Sequence, residues 1–182
     1  VRFAFVVLAL CMSSIVMFDC SRADQVEITD RKEVRQIAGR CVETVVPMFL
    51  VRRSRPKIES EDLLRYMIVR PGELFAPFSV DAYERGEVEP DKLAEIVQVI
   101  PAGYRLKVES VWSLKRFEGD ILSVSTTIQA HGVGEVTADM SSLLDEVWSL
   151  DLADGKISDF ESSELQGRPI LDPGYGRPCG SQ

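Results

Sequence analysis

From Tyr104 onward the apolar residues of this chain recur at every second position, and that period constrains what the second half can become. Tyr104, Leu106, Val108, Trp112 and Leu114 share one phase, against Arg105, Lys107, Glu109, Ser113 and Lys115 on the other. Successive side chains of a strand point to opposite faces, so the pattern describes a half-buried antiparallel strand. After a turn at Glu118-Gly119-Asp120, Leu122, Val124, Ile128 and Ala130 line one face opposite Ser123, Ser125, Thr127 and Gln129. A loop through Gly132 and Gly134 leads to a third strand with Leu144, Trp148, Leu150 and Leu152 on its core side. Asp154-Gly155 is a hairpin turn. Beyond it, Ile157 and Phe160 share a face only through a bulge near Ser158-Asp159, a device that bends sheets.

The first half reads with a different period. Asp30 with Glu33 three residues later resembles a capping box, and Val34, Ile37, Ala38, Cys41, Val42, Val45, Met48 and Phe49 then recur at helical spacing. Pro47 kinks or shortens the last turn. The basic linker Arg52-Arg53-Ser54-Arg55-Pro56-Lys57 precedes a second helix, capped by Ser60, carrying Leu63, Leu64, Met67 and Ile68, and ended by Pro71-Gly72. Residues 74–85 read as a helical turn interrupted by Pro77. Pro90 suits the first position of a third helix holding Leu93, Ala94, Ile96, Val97 and Ile100. The expected fold is therefore α+β, with N-terminal helices packed on a strongly curved antiparallel sheet in a cone-shaped, cystatin-like arrangement.

Residues 3–18 carry no charge and follow Arg2, and Ser21-Arg22-Ala23 places small side chains where a signal peptidase reads. The run is short for a membrane span of about 20 apolar residues. The expectation is a secretory signal over residues 1–23, a cone domain over 24–165 and an irregular tail over 166–182. An uncleaved N-terminal anchor is the alternative. The expected location is secreted or periplasmic, with no stable membrane span after cleavage. Removing the signal takes the net charge of the 182-residue chain from −8 to −9. So acidic a surface repels phosphates, so no nucleic-acid partner is expected.

Cleavage also leaves two cysteines, Cys41 and Cys179, and an oxidising compartment favours a disulfide between them. Such a bond would tie the tail back across the domain. The plainer alternative is a buried thiol and a loose tail. One histidine and two cysteines make no zinc set, and no cofactor motif is present, so neither a metal nor a cofactor is expected.

Helices first, then long curved strands, then Val147-Trp148-Ser149-Leu150 … Asp154-Gly155-Lys156-Ile157 … Phe160, resemble the nuclear-transport-factor-2-like superfamily. Its members include the SnoaL-type polyketide cyclases and the ketosteroid isomerases. The resemblance covers residues 30–165 and implies a conical pocket closed by helices, and often a homodimer through the outer sheet face.

The candidate chemistry is sparse. Glu146 falls in phase with Leu144, Trp148, Leu150 and Leu152, so strict alternation turns its carboxylate toward the apolar side, where desolvation raises the pKa toward that of a general base. A strand that begins later, or a neutralising arginine, removes that role. His131, the one histidine, titrates in the range of proton transfer, yet beside Gly132 it also suits a plain surface position. Superfamily enzymes often hold an acid in the last strand, which implies Asp159 or Glu161 here; solvated strand-end acids are the bland alternative. Trp112 and Trp148 either wall a ligand pocket or simply pack the core. Two functions compete, beside an assembly role in which the outer sheet face forms a dimer and the pocket is vestigial. The first is a domain that binds a small apolar ligand or a partner protein without assigned catalysis. The second is a cofactor-independent isomerase, cyclase or dehydratase with Glu146 as base and His131 or Asp159 orienting or donating.

Overall fold

Met48-Phe49-Leu50-Val51 is an unbroken apolar run, and all four side chains are fully buried. Because a strand points alternate side chains to opposite faces, such a run forms where both faces are covered. The computed structural model describes residues 25–30, 34–54, 65–88, 94–114, 121–145 and 170–180. In it this run is strand β3 (Met48–Arg53), and it corrects the expected fold. Among the described residues no N-terminal helix packs on a sheet. Among the described residues the chain is mostly β, with one short α-helix and two single 3-10 turns.

The helical reading fails for a physical reason. Val34–Gln36 is one 3-10 turn, and Gly39, at φ 74°, takes a left-handed conformation that ends it. The chain then enters β2 (Cys41–Thr44), with Val42 and Thr44 turned inward. Positions 42, 45, 48 and 49 match a helix because the stretch is apolar nearly throughout, and a doubly buried strand imitates that spacing. β4 (Tyr66–Val69) and β5 (Ala94–Ile100) stand where the second and third helices were expected to continue. Tyr66 and Ile68 enter one core, Met67 and Val69 the other. On β5 a bulge opposite Leu50 and Val51 leaves Val97 without a register partner. That extra residue lets Ile96 and Ile100, an even number of positions apart, serve opposite faces.

β1 (Gln25–Glu27), β7 (Ser110–Leu114), β8 (Ile121–Ala130) and β9 (Gly134–Asp139) complete a seven-stranded sheet ordered β1-β7-β8-β9-β4-β3-β5. Every pairing is antiparallel except β4 with β9. A second sheet has the order β10-β2-β6, where β6 is Arg105–Lys107 and β10 is Gly176–Pro178. The chain passes from the small sheet to the large one twice, between β2 and β3 and at Val108-Glu109 between β6 and β7. The main core is shared by both sheets: Val42 and Leu106 from the small one join Leu50, Ile68, Val111, Val124 and Ile128 from the large one. A second, smaller core covers the other face of β3, β4 and β5. There the α-helix α1 (Val80–Glu84), capped by the Ser79 hydroxyl accepting from the Ala82 N–H, seats Tyr83 and Phe78 edge-on against Phe49.

Cys41 and Cys179 form the expected disulfide, with Cα atoms 5.3 Å apart. Cys41 sits on a strand rather than on a helical stripe. Within the expected irregular tail, residues 176–178 pair with β2 as β10, and the Cys179 N–H donates to the Cys41 carbonyl. Gly176 packs closely against Leu143, since a Cβ there would lie 3.4 Å from both Leu143 Cβ and the Leu143 carbonyl oxygen, at the near limit of ordinary contact. No described helix is long and apolar enough to cross a membrane.

Two outcomes follow from this packing. The Thr126 hydroxyl is fully buried on the Val124–Ile128 face and has no hydrogen-bond partner among the described residues. Thr126→Val therefore raises unfolding stability by about 1 kcal/mol, read as a higher urea midpoint at unchanged slope. The disulfide closes a loop spanning 138 positions. Replacing both cysteines by serine lowers stability by about 4 kcal/mol in the same assay, whereas a loss below about 1 kcal/mol would show the cross-link to be dispensable.

Candidate functional site

The sheet change at Val108-Glu109 shifts the phase of the strand that follows. Val111 enters the main core, so Trp112 stands on the opposite face, half-buried, and its indole N–H donates to Ser110 Oγ at 2.8 Å. His131 is exposed at the tip of the β8–β9 hairpin, where its backbone N–H donates to Gln98 Oε1 at 2.8 Å. Among the described residues its imidazole has no hydrogen-bond partner. Glu146, Trp148, Asp159 and Glu161 lie outside the described residues, as does 147–160, the hairpin that carries the superfamily resemblance. The described structure therefore brings none of the proposed catalytic groups together. No group of three metal-ligating side chains occurs among the described residues either.

What the structure does present is an open cleft of about 600 Å³ beside the disulfide. One wall is the turn and strand around Ile37, Cys41, Val42 and Val45; the other is the C-terminal segment, with Ile170, Leu171, Pro173 and Pro178. Arg40 and Arg177 are the charged side chains that line it. The backbone explains why. The Arg40 N–H donates to the Ile37 carbonyl and the Arg40 carbonyl accepts from Val108, which fixes the entry into β2. On the far wall, the Val45 N–H donates to the Tyr175 carbonyl, and β10 continues the small sheet. The walls are apolar and the volume is that of a small-molecule site.

The electrostatics of this region run against the acidity of the whole chain. Glu43 faces Arg105 on one neighbouring strand and Arg177 on the other. Arg177 donates to Glu43 Oε1 through Nε at 3.2 Å and Nη2 at 2.5 Å, and Arg105 Nε lies 3.6 Å from Oε2. The hydrogen bond from Arg177 holds the Glu43 carboxyl below its ordinary range, with further help from the charge of Arg105. One carboxylate thus serves two guanidinium groups, while Arg40 and Lys107 have no ion-pair partner among the described residues.

A second polar cluster escaped the sequence reading. Asp139, at the end of β9, is only 2 % exposed. Its Oδ1 accepts from Ser123 Oγ at 3.0 Å and from the Val124 N–H at 2.8 Å, and Oδ2 accepts from Ser141 Oγ at 2.6 Å. Burial nevertheless pushes its pKa up, with these donors opposing the shift. Next to it, Arg70 clamps the loop after β9. Its Nε and Nη2 donate to the Ser142 and Leu144 carbonyls at 2.5 and 2.9 Å. Nη1 meets Asp172 Oδ2 at 3.1 Å, and the guanidinium lies 4.2 Å from the Tyr175 ring centroid. Both clusters are saturated by their own chain. They position the C-terminal wall of the cleft. Ser141-Ser142 shortly after an acid that ends a strand is the only sequence signal for them, and it is weak.

Compared with known proteins, this chain matches no family model, no curated protein and no solved structure.

The buried carboxylate has a pH signature of unusual sign. A carboxyl whose folded pKa lies above its ordinary value of 3.8 binds its proton more tightly when folded. Its contribution is thus largest below that value and is lost as pH rises through the folded pKa. Asp139→Asn removes this titration. The stability of the native protein relative to the variant is expected to fall as pH rises from about 4, in urea titrations at a series of pH values. A difference that grows with pH would reverse the sign and refute the raised pKa.

Proposed function

We propose that this chain is a binding module that holds a small apolar ligand in the cleft between the β2 entry and the C-terminal segment, without a catalytic role. The observation that carries the reading is the cleft itself, about 600 Å³ with walls built from Ile37, Val42, Val45, Ile170, Leu171 and two prolines. Apolar surface of this kind gains roughly 25 cal/mol for each Å² removed from water. Among the described residues the large side chains of the main core, such as Met48, Leu50, Ile68 and Ile128, are fully buried. A secreted or periplasmic location agrees with the disulfide, because such bonds persist in oxidising compartments.

The test uses Nile red, an uncharged apolar dye. Saturable fluorescence enhancement with one site per chain is expected, with a dissociation constant in the micromolar range. Val45→Trp, which places an indole in the cleft, is expected to weaken that signal about tenfold or more while the unfolding free energy from urea titration stays within about 1 kcal/mol of native. Absence of saturable binding, or binding indifferent to the substitution, would overturn the assignment.

A further inference from the structure

We infer that the ligand of this cleft is an amphiphile with an anionic, carboxylate-type head, held by Arg40 with Arg177 beside it. The inference rests on the apolar-ligand reading above and adds the chemistry of the head group. Arg105, Lys107 and Arg177 lie on the strands that flank β2, with Glu43 between Arg105 and Arg177, and Arg40 immediately precedes β2 and lines the cleft, in a chain whose overall charge is −8. A solvated surface in an acidic protein has no need of this concentration. Two of the cations share one carboxylate, which leaves the region positive.

The two arginines that reach the cleft differ in a useful way. Arg177 is oriented by Glu43, which takes Nε and Nη2; its remaining Nη1 has no partner among the described residues. Arg40 is exposed, has no side-chain hydrogen bond or ion pair among the described residues, and is placed by backbone bonds on both sides of it. A guanidinium presents several N–H donors in a planar fork that matches a carboxylate. An apolar tail along Val45, Ile170 and Leu171 with its acid head at Arg40 would satisfy both halves of the site at once. A neutral head leaves the cations unused, and a cationic head is repelled by them.

The experiment compares dodecanoate with dodecanol, two probes with the same chain and different heads, by competition against Nile red on the full chain. Dodecanoate is expected to compete about tenfold better at low salt, with the advantage shrinking as salt is raised. Arg40→Gln is expected to abolish the advantage and leave dodecanol unchanged, while Arg40→Lys keeps part of it. Since the Arg40 side chain has no partner among the described residues, the far-ultraviolet dichroism of the variants should match that of the native chain. Equal competition by the two probes would overturn the head-group inference and leave the apolar cleft standing. Failure of both probes to compete would remove the two readings together. A dodecanoate preference that survives both Arg40→Gln and Arg177→Gln would place the anion site elsewhere and refute this one.

Discussion

Burial of β3 on both faces is the constraint from which the rest of the architecture follows. Met48 and Leu50 contribute to the core between the two sheets, whereas Phe49 and Val51 contribute to the smaller core under α1. A strand that must be covered twice cannot lie at the outside of a helix-on-sheet layer pair. One face is closed by the small sheet and the other by the Phe75–Tyr83 segment. The bulge at Val97 belongs to the same solution. It lets β5 supply Ile100 to one core and Ile96 to the other without breaking its pairing with β3. The sheet then needs no N-terminal helical layer, and none forms among the described residues.

The parts of this fold that the residues announced are those whose two faces differ. Leu122, Val124, Ile128 and Ala130 enter the main core as their alternation requires, whereas the strand after Gly132 is β9, starting at Gly134, rather than one that begins around Leu144. The reading failed where the short strand β2 runs into Met48–Val51, whose two faces are both apolar, because periodicity carries no information when every position of a run is hydrophobic. Trp112 shows a second kind of failure. Its phase was extrapolated from Leu106 and Val108, but the chain changes sheets at Val108-Glu109, and the side that faces the core changes with it. A change of sheet leaves no mark in composition.

The candidate site was legible only in its covalent part. Counting cysteines pointed to the Cys41–Cys179 bond, yet the cleft beside it needs Arg40, Val45, Ile170 and Pro173, which are scattered over more than 130 positions. Asp139 was invisible for a related reason. An acid near a strand end is usually solvated, and only the turn through Ser141 and Ser142 folds its donors over the carboxylate.

These polar clusters explain how so short a strand as β10 can serve as the wall of a site. Three paired residues contribute little stability by themselves, and an edge strand of that length frays readily. Here it is held at several points of different chemistry. The disulfide anchors it beyond Pro178, and Glu43 grips Arg177 within it. Upstream, Arg70 holds Asp172 and covers Tyr175, while Leu171 bridges to Leu144. Because Arg70 also binds the carbonyls of Ser142 and Leu144, the loop after Asp139 and the C-terminal wall are fastened to the same guanidinium. The cleft is thus bounded by a segment with little secondary structure of its own and many tethers to the body. Its shape is set by those tethers, and Arg40 and Arg177 join the apolar side chains that line it.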